Sequence, residues 1–306
     1  MAFRLKPGRS VASEIRRIVL RQIEAATVEL KAIGDPESDE AVHDARRRVK
    51  KIRAVIRLVQ PALGKTSRVV DKDLRDVSRL LAPVADGQGI IATLDTLEKR
   101  YNRLLPKTLV ARLRTRLIDR GSQTDRQADS DHVLQVAAGT LRVERRRVKH
   151  WQLRTDGFAA LSPGLEASFR RARKAMLAAW NRPTGARYHT WRRHVKNHWF
   201  HVRLLEGRCG DRLLADQRRL EALDGILGEY HNLVLLHEVL ISDGLVSRAA
   251  IVPCLRAVSS YQRVLRQQAQ SLGARIYSEK PRGFVRRIKH LWGSLPPAQS
   301  LQRPVQ

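Results

Sequence analysis

The chain has 306 residues, with 59 Lys and Arg against 30 Asp and Glu, a formal net charge of +29. At 42% hydrophobic it carries enough apolar residues for a sizeable core, which excludes general disorder. Two cysteines, Cys209 and Cys254, exclude a disulfide framework and leave no CxxC spacing for zinc or redox chemistry.

In chain order, a long helix is expected over 10–33, ended by Gly34 and the turn pair Asp35-Pro36. Ser38 or Asp39 caps a second helix that runs to about Leu63-Gly64. Helical periods follow at 66–82, 88–104 and 107–119, then a polar, aperiodic stretch at 121–130 reads as a linker. Helices resume at 131–153, 163–180, 186–206, 210–228, 232–242 and 247–273, and the tail at 294–306 is expected to fray. No stretch alternates like a strand, so the expected fold is all-α, with halves at 8–120 and 131–293. No apolar run approaches the roughly 18 residues of a membrane span. With no signal-peptide pattern at the N-terminus, no membrane partner is expected and the cytoplasm is the expected compartment.

The two halves resemble each other. EAVHDARRRVKKIRAVIRLVQ in the first has a counterpart, ARYHTWRRHVKNHWFHVRLLE, in the second. This suggests two pseudo-symmetric helical bundles, duplicated units of four-helix type, around a basic groove or pore. In the first helix Val42, Ala45, Val49, Ile52, Ile56 and Val59 form a core stripe. One residue along, about 100° round the helix, runs a ladder of His43, Arg46, Lys50, Arg53 and Arg57. The second helix has Tyr188, Trp191, Val195, His198, Val202 and Leu205 as its stripe and His189, Arg192, Lys196, Trp199 and Arg203 as its ladder. Between Arg46 and Arg57 seven of twelve residues are basic and none is acidic. A solvated face usually mixes both signs, because like charges four apart repel. The pattern points to a polyanion as partner. The 46 Arg among the basic residues fit that partner, since the guanidinium fork grips phosphate bidentately.

The paired His-x-x-Arg-x-x-x-Lys ladders resemble the CHAD family, the conserved-histidine α-helical domain, over roughly residues 8 to 293. The resemblance implies a polyphosphate-binding module of two helical halves, sometimes fused to triphosphatase domains or located on polyphosphate granules. Residue by residue it carries over to His43, Arg46, Lys50 and Arg53, and to His189, Arg192 and Lys196. Arg47, Arg57, Arg193 and Arg203 complete the candidate polyphosphate site. The family's Leu-Gly turn is matched by Leu227-Gly228, with His231-Asn232 after it. Ala85 and Trp199 stand where the family commonly has Arg. Physically, a flexible polyanion needs a row of cationic forks, and counterion release adds a salt-dependent gain. No phosphate loop is present, since no G-K-[ST] follows Gly87-Gln88-Gly89.

Three other readings compete. His194, His198 and His201 share a helix face and suit a metal, but surrounding cations repel one, so no metal or cofactor is expected. Tyr188, Trp191, Trp199 and Phe200 interleave with basic residues as a base-stacking platform would, which makes nucleic acid the alternative partner. Catalysis is not expected, because neither ladder holds clustered carboxylates and an ExExK element is absent.

Overall fold

The computed structural model describes residues 3–30, 38–82, 87–124, 127–242 and 248–293. These form eleven α-helices and no strand, so the fold is all-α. They are α1 (Val11–Glu29), α2 (Ser38–Leu63), α3 (Thr66–Leu80), α4 (Gly87–Arg100), α5 (Lys107–Thr124) and α6 (Gln127–Lys149). The rest are α7 (Gly157–Asn181), α8 (Gly185–Cys209), α9 (Leu214–Ser242), α10 (Arg248–Ile276) and α11 (Pro281–Gly293).

Local sequence explains the boundaries. Ser10 caps α1 by accepting from the Ser13 amide at 3.1 Å, and Asp156 accepts from the Ala12 amide at 3.1 Å. Thr184 caps α8 through the Arg187 amide, and Gly210 ends it at φ 63°, a conformation that favours glycine. Both expected core stripes are buried: all six residues on α2, and all six on α8, are at most 1% exposed.

One apolar core runs through the described helices. α2 packs on α1, α3, α7 and α8, while α8 packs on α7 and α9. The elements before and after the expected linker interleave, because α6 packs on α1 and α3, and α4 packs on α9. The α2–α7 crossing is so close that a Cβ at Gly164 would overlap the Leu58 carbonyl oxygen. At the α4–α9–α10 junction Tyr261 donates to Glu229 at 2.5 Å, with the Arg100 guanidinium 4.7 Å from the Tyr261 ring.

Several expectations shift. The stretch read as a linker is helical at 121–124, which continues α5, and at 127–130, which opens α6; residues 125–126 lie outside the described residues. The helices expected at 210–228 and 232–242 are one, α9, because Leu227-Gly228 continues the helix where a turn was expected. α7 begins at Gly157, ahead of Pro163, and α11 was not expected at all. Ala85 and the tail at 294–306 lie outside the described residues.

Candidate polyanion-binding site

The α2 ladder runs from exposed residues to ones held against the next helix. His43, Arg47 and Lys50 are exposed, while Arg46, Arg53 and Arg57 are half-buried. Asp71 on α3 takes Arg53 at 3.0 Å, Arg57 at 3.4 Å and Arg75 at 3.1 Å. One carboxylate therefore orients three guanidinium groups without neutralising them, and their charge holds its own pKa below the usual range against the cost of burial. Arg46 donates to the Ala82 carbonyl at 3.3 Å, and Arg47 pairs with Asp44 at 3.0 Å.

On α8 the corresponding carboxylate comes from α9. Asp224 lies 3.0 Å from Lys196 and 4.0 Å from Arg192. Gly228 makes room for that arginine, since a Cβ there would stand 3.3 Å from Arg192 Nη2. The His189 ring sits 4.5 Å from the His231 ring. The carboxylates take different rungs of the two ladders: Asp71 holds Arg53 and Arg57 of α2, and Asp224 holds Arg192 and Lys196 of α8. Arg203 lies 5.1 Å from the Trp199 ring, which in turn stacks on Phe200.

The ladders meet across the α2–α8 packing. Arg57 donates to Asn197 of α8 at 3.1 Å. The charge of Lys50 bears on His189, that of Arg193 on Arg57, and that of Arg203 on Lys51. Burial, with these like charges added, pushes Lys51 down to about 8 and Arg57 down to about 10. His189 is held below the ordinary imidazole range by burial, then by Arg193, Arg192 and Lys50. His43 is lowered likewise by partial burial and by Lys50, Arg46 and Arg47, with Asp44 opposing. An anion placed beside either ring would favour its protonated form.

The competing residues have other employment. Tyr188, Trp191 and Phe200 are at most 2% exposed, so of the four interleaved aromatics only Trp199 reaches the surface in part. His201 Nε2 lies 2.8 Å from the Ala54 carbonyl oxygen, and His198 Nδ1 lies 3.3 Å from the Tyr277 hydroxyl. Burial lowers their pKa values to about 4 and about 3. Among the described residues no group of three His, Cys, Asp or Glu side chains is placed to hold a metal ion. No helix among them is long and apolar enough to cross a membrane. Asp71 and Asp224 were missed by sequence reading, because each belongs to a different helix from the ladder it holds.

These features define an all-helical domain with two apposed basic helices whose cations are partly held by neighbouring carboxylates. The sequence matches the CHAD domain over residues 17–241, and the protein belongs to that family. α10 and α11 lie beyond the matched segment, yet α10 packs on α9 and α11 packs on α7 and α8. No curated protein matches the chain.

Proposed function

We propose that the protein binds inorganic polyphosphate along the ladders of α2 and α8, without catalysing its turnover. His43, Arg46, Arg47, Lys50, Arg53 and Arg57 serve on one helix, and His189, Arg192, Arg193, Lys196 and Arg203 on the other. The observation that carries this reading is the meeting of the two basic helices, where Arg57 of α2 donates to Asn197 of α8 at 3.1 Å. Like charges brought together across a packed interface raise the energy of the free protein, and a polyanion laid along them relieves it. Membership of the CHAD family supports the same ligand. Asp71 and Asp224 are already engaged by two or three cations each, which suits positioning better than chemistry. A cytoplasmic location and association with polyphosphate granules belong to this reading.

RNA is the rival ligand, and the burial of Tyr188, Trp191 and Phe200 weighs against a stacking platform for bases. Competition at matched salt and equal phosphate concentration separates the two. Polyphosphate is expected to displace labelled RNA, and RNA displacing labelled polyphosphate would contradict the proposal.

A further inference from the structure

The segment before α1 lies along the end of α8. The Leu5 amide donates to the Leu204 carbonyl at 2.8 Å, and Arg4 pairs with Glu206 at 3.1 Å. Gly207 lets the two backbones close, since a Cβ there would overlap the Leu5 carbonyl oxygen. The Lys6 amide donates to Glu14 of α1 at 2.8 Å, which ties down the other end of this strap. Phe3, held in this way, meets Phe200 of α8 edge-on with 5.8 Å between ring centres, and Phe200 stacks on Trp199 at 5.2 Å.

Two cations rest on this aromatic cluster, one from each basic helix. Lys51 Nζ of α2 lies 5.7 Å from the Phe3 ring centre, and the Arg203 guanidinium of α8 lies 5.1 Å from that of Trp199. The helices adjoin at this level: the Ala54 carbonyl, one turn along α2 from Lys51, lies 2.8 Å from His201 Nε2, two residues before Arg203. The neighbouring cations are paired, Arg47 with Asp44 and Arg48 with Glu29. For Lys51 and Arg203 the described residues supply ring faces and no carboxylate within ion-pair distance. A ring face attracts a cation but carries no net charge, so the N–H donors of both groups stay open to an oxyanion. Burial, then Arg47, Arg48 and Arg203, lowers the Lys51 amine to about 8 against the pull of Asp44, and an anion beside it favours the charged form.

We propose that Lys51 and Arg203, set on the Phe3–Phe200–Trp199 cluster, form a phosphate clamp between α2 and α8, with Phe3 as the residue that positions Lys51. This rests on the proposed function, and it adds to it one binding residue, Lys51, and one positioning residue, Phe3. Phe3 precedes the segment matched to the family, which begins at residue 17. Lys51 acts as a point charge with three donors, and Arg203 as a planar fork. Both helices then serve one phosphate position, so a polyphosphate chain is held across the α2–α8 contact as well as along each ladder.

Long-chain polyphosphate is titrated against wild type, Lys51→Met, Phe3→Leu, the double variant and Lys107→Met over a series of salt concentrations. Lys51→Met keeps an apolar stem over the ring, and Lys107→Met makes the same change in net charge at the exposed start of α5, which packs on α4. Lys51→Met is expected to weaken binding several-fold and to lower the slope of log affinity against log salt by about 0.7–0.9, the loss of one phosphate contact. Lys107→Met is expected to change both little. Phe3→Leu is expected to weaken binding less than Lys51→Met does, and to add nothing in the Lys51→Met background. A second readout needs no variant: trace acetylation of wild type at pH 8, read by mass spectrometry, is expected to show polyphosphate protecting Lys51 and leaving Lys107 reactive. Equal effects of Lys51→Met and Lys107→Met, or acetylation of Lys51 unchanged by bound polyphosphate, overturn the clamp and spare the ladders. Fully additive effects of Phe3→Leu and Lys51→Met overturn the positioning role of Phe3. No binding of polyphosphate by wild type overturns the proposed function, and the clamp falls with it.

Discussion

His43 and His189 illustrate how a single side chain links charge, burial and ligand. In the free protein both imidazoles are held below their ordinary pKa, the first by partial burial and Lys50, the second by burial and Arg193. A phosphate beside either ring reverses the balance and raises the pKa, so binding takes up protons between the free and bound values. Affinity is then highest below the free pKa and falls as pH rises through the bound one. Titrations at pH 5.5 and pH 8.5 are expected to show weaker binding at the higher pH for wild type. The difference is expected to shrink in His43→Ala/His189→Ala, and an unchanged difference would remove the histidines from this role. The ladders themselves were legible in the sequence, because a 3.6-residue period places each basic rung beside a core residue that is in fact buried. Asp71 and Asp224 were not, since a carboxylate that pairs across helices leaves no local spacing to read.

At the scale of elements, the crossing of α2 and α7 depends on Gly164, where a Cβ would overlap the Leu58 carbonyl. Gly164→Ala is expected to cost about 1–3 kcal/mol or more, because two helix backbones must separate. Gly139 in α6 has nothing within 4 Å of its added Cβ, so Gly139→Ala is expected to stabilise by about 0.4–1 kcal/mol. Urea unfolding of both variants checks the pair, and equal destabilisation would contradict the packing described. The α3–α6 contact carries a pH-dependent element. Glu144 is fully buried beside Asp73, with Arg147 donating to Asp73 at 2.8 Å and to Glu144 at 2.5 Å. Burial pushes the Glu144 carboxyl up to about 7, so the fold binds a proton that the unfolded chain releases near 4.5. That contribution is fully present below 4.5 and is lost as pH rises towards 7. Glu144→Gln is expected to raise the melting temperature at pH 8 relative to wild type and to change it less at pH 5. α11 went unread, although Pro281 at its start, Phe284 and Ile288 four residues apart and Gly293 at its end carry the signal of an amphipathic helix. Leu227-Gly228 misled in the opposite direction. The glycine serves Arg192 from inside a continuous α9 and ends nothing.

Across the whole molecule, the all-α class followed from periodicity, whereas the way the helices interlock depended on long-range packing. α6 against α1 and α3, and α4 against α9, join segments that the sequence places on opposite sides of a polar stretch. The shared core keeps α2 and α8 in contact, which brings part of the basic surplus of the chain onto two adjoining helices. Two fully buried histidines, His198 and His201, set an acid limit on this assembly, with pKa values lowered by burial to about 3 and about 4. The unfolded chain binds their protons near 6.5, so their contribution is complete above that pH and is lost progressively as pH falls towards 4. The most direct measurement is a polyphosphate titration of wild type beside Arg46→Ala/Lys50→Ala and Arg192→Ala/Lys196→Ala, at one pH and salt. Each variant loses two charge-assisted contacts, and each is expected to bind at least about tenfold more weakly. Unchanged affinity in both would contradict binding along two basic helices.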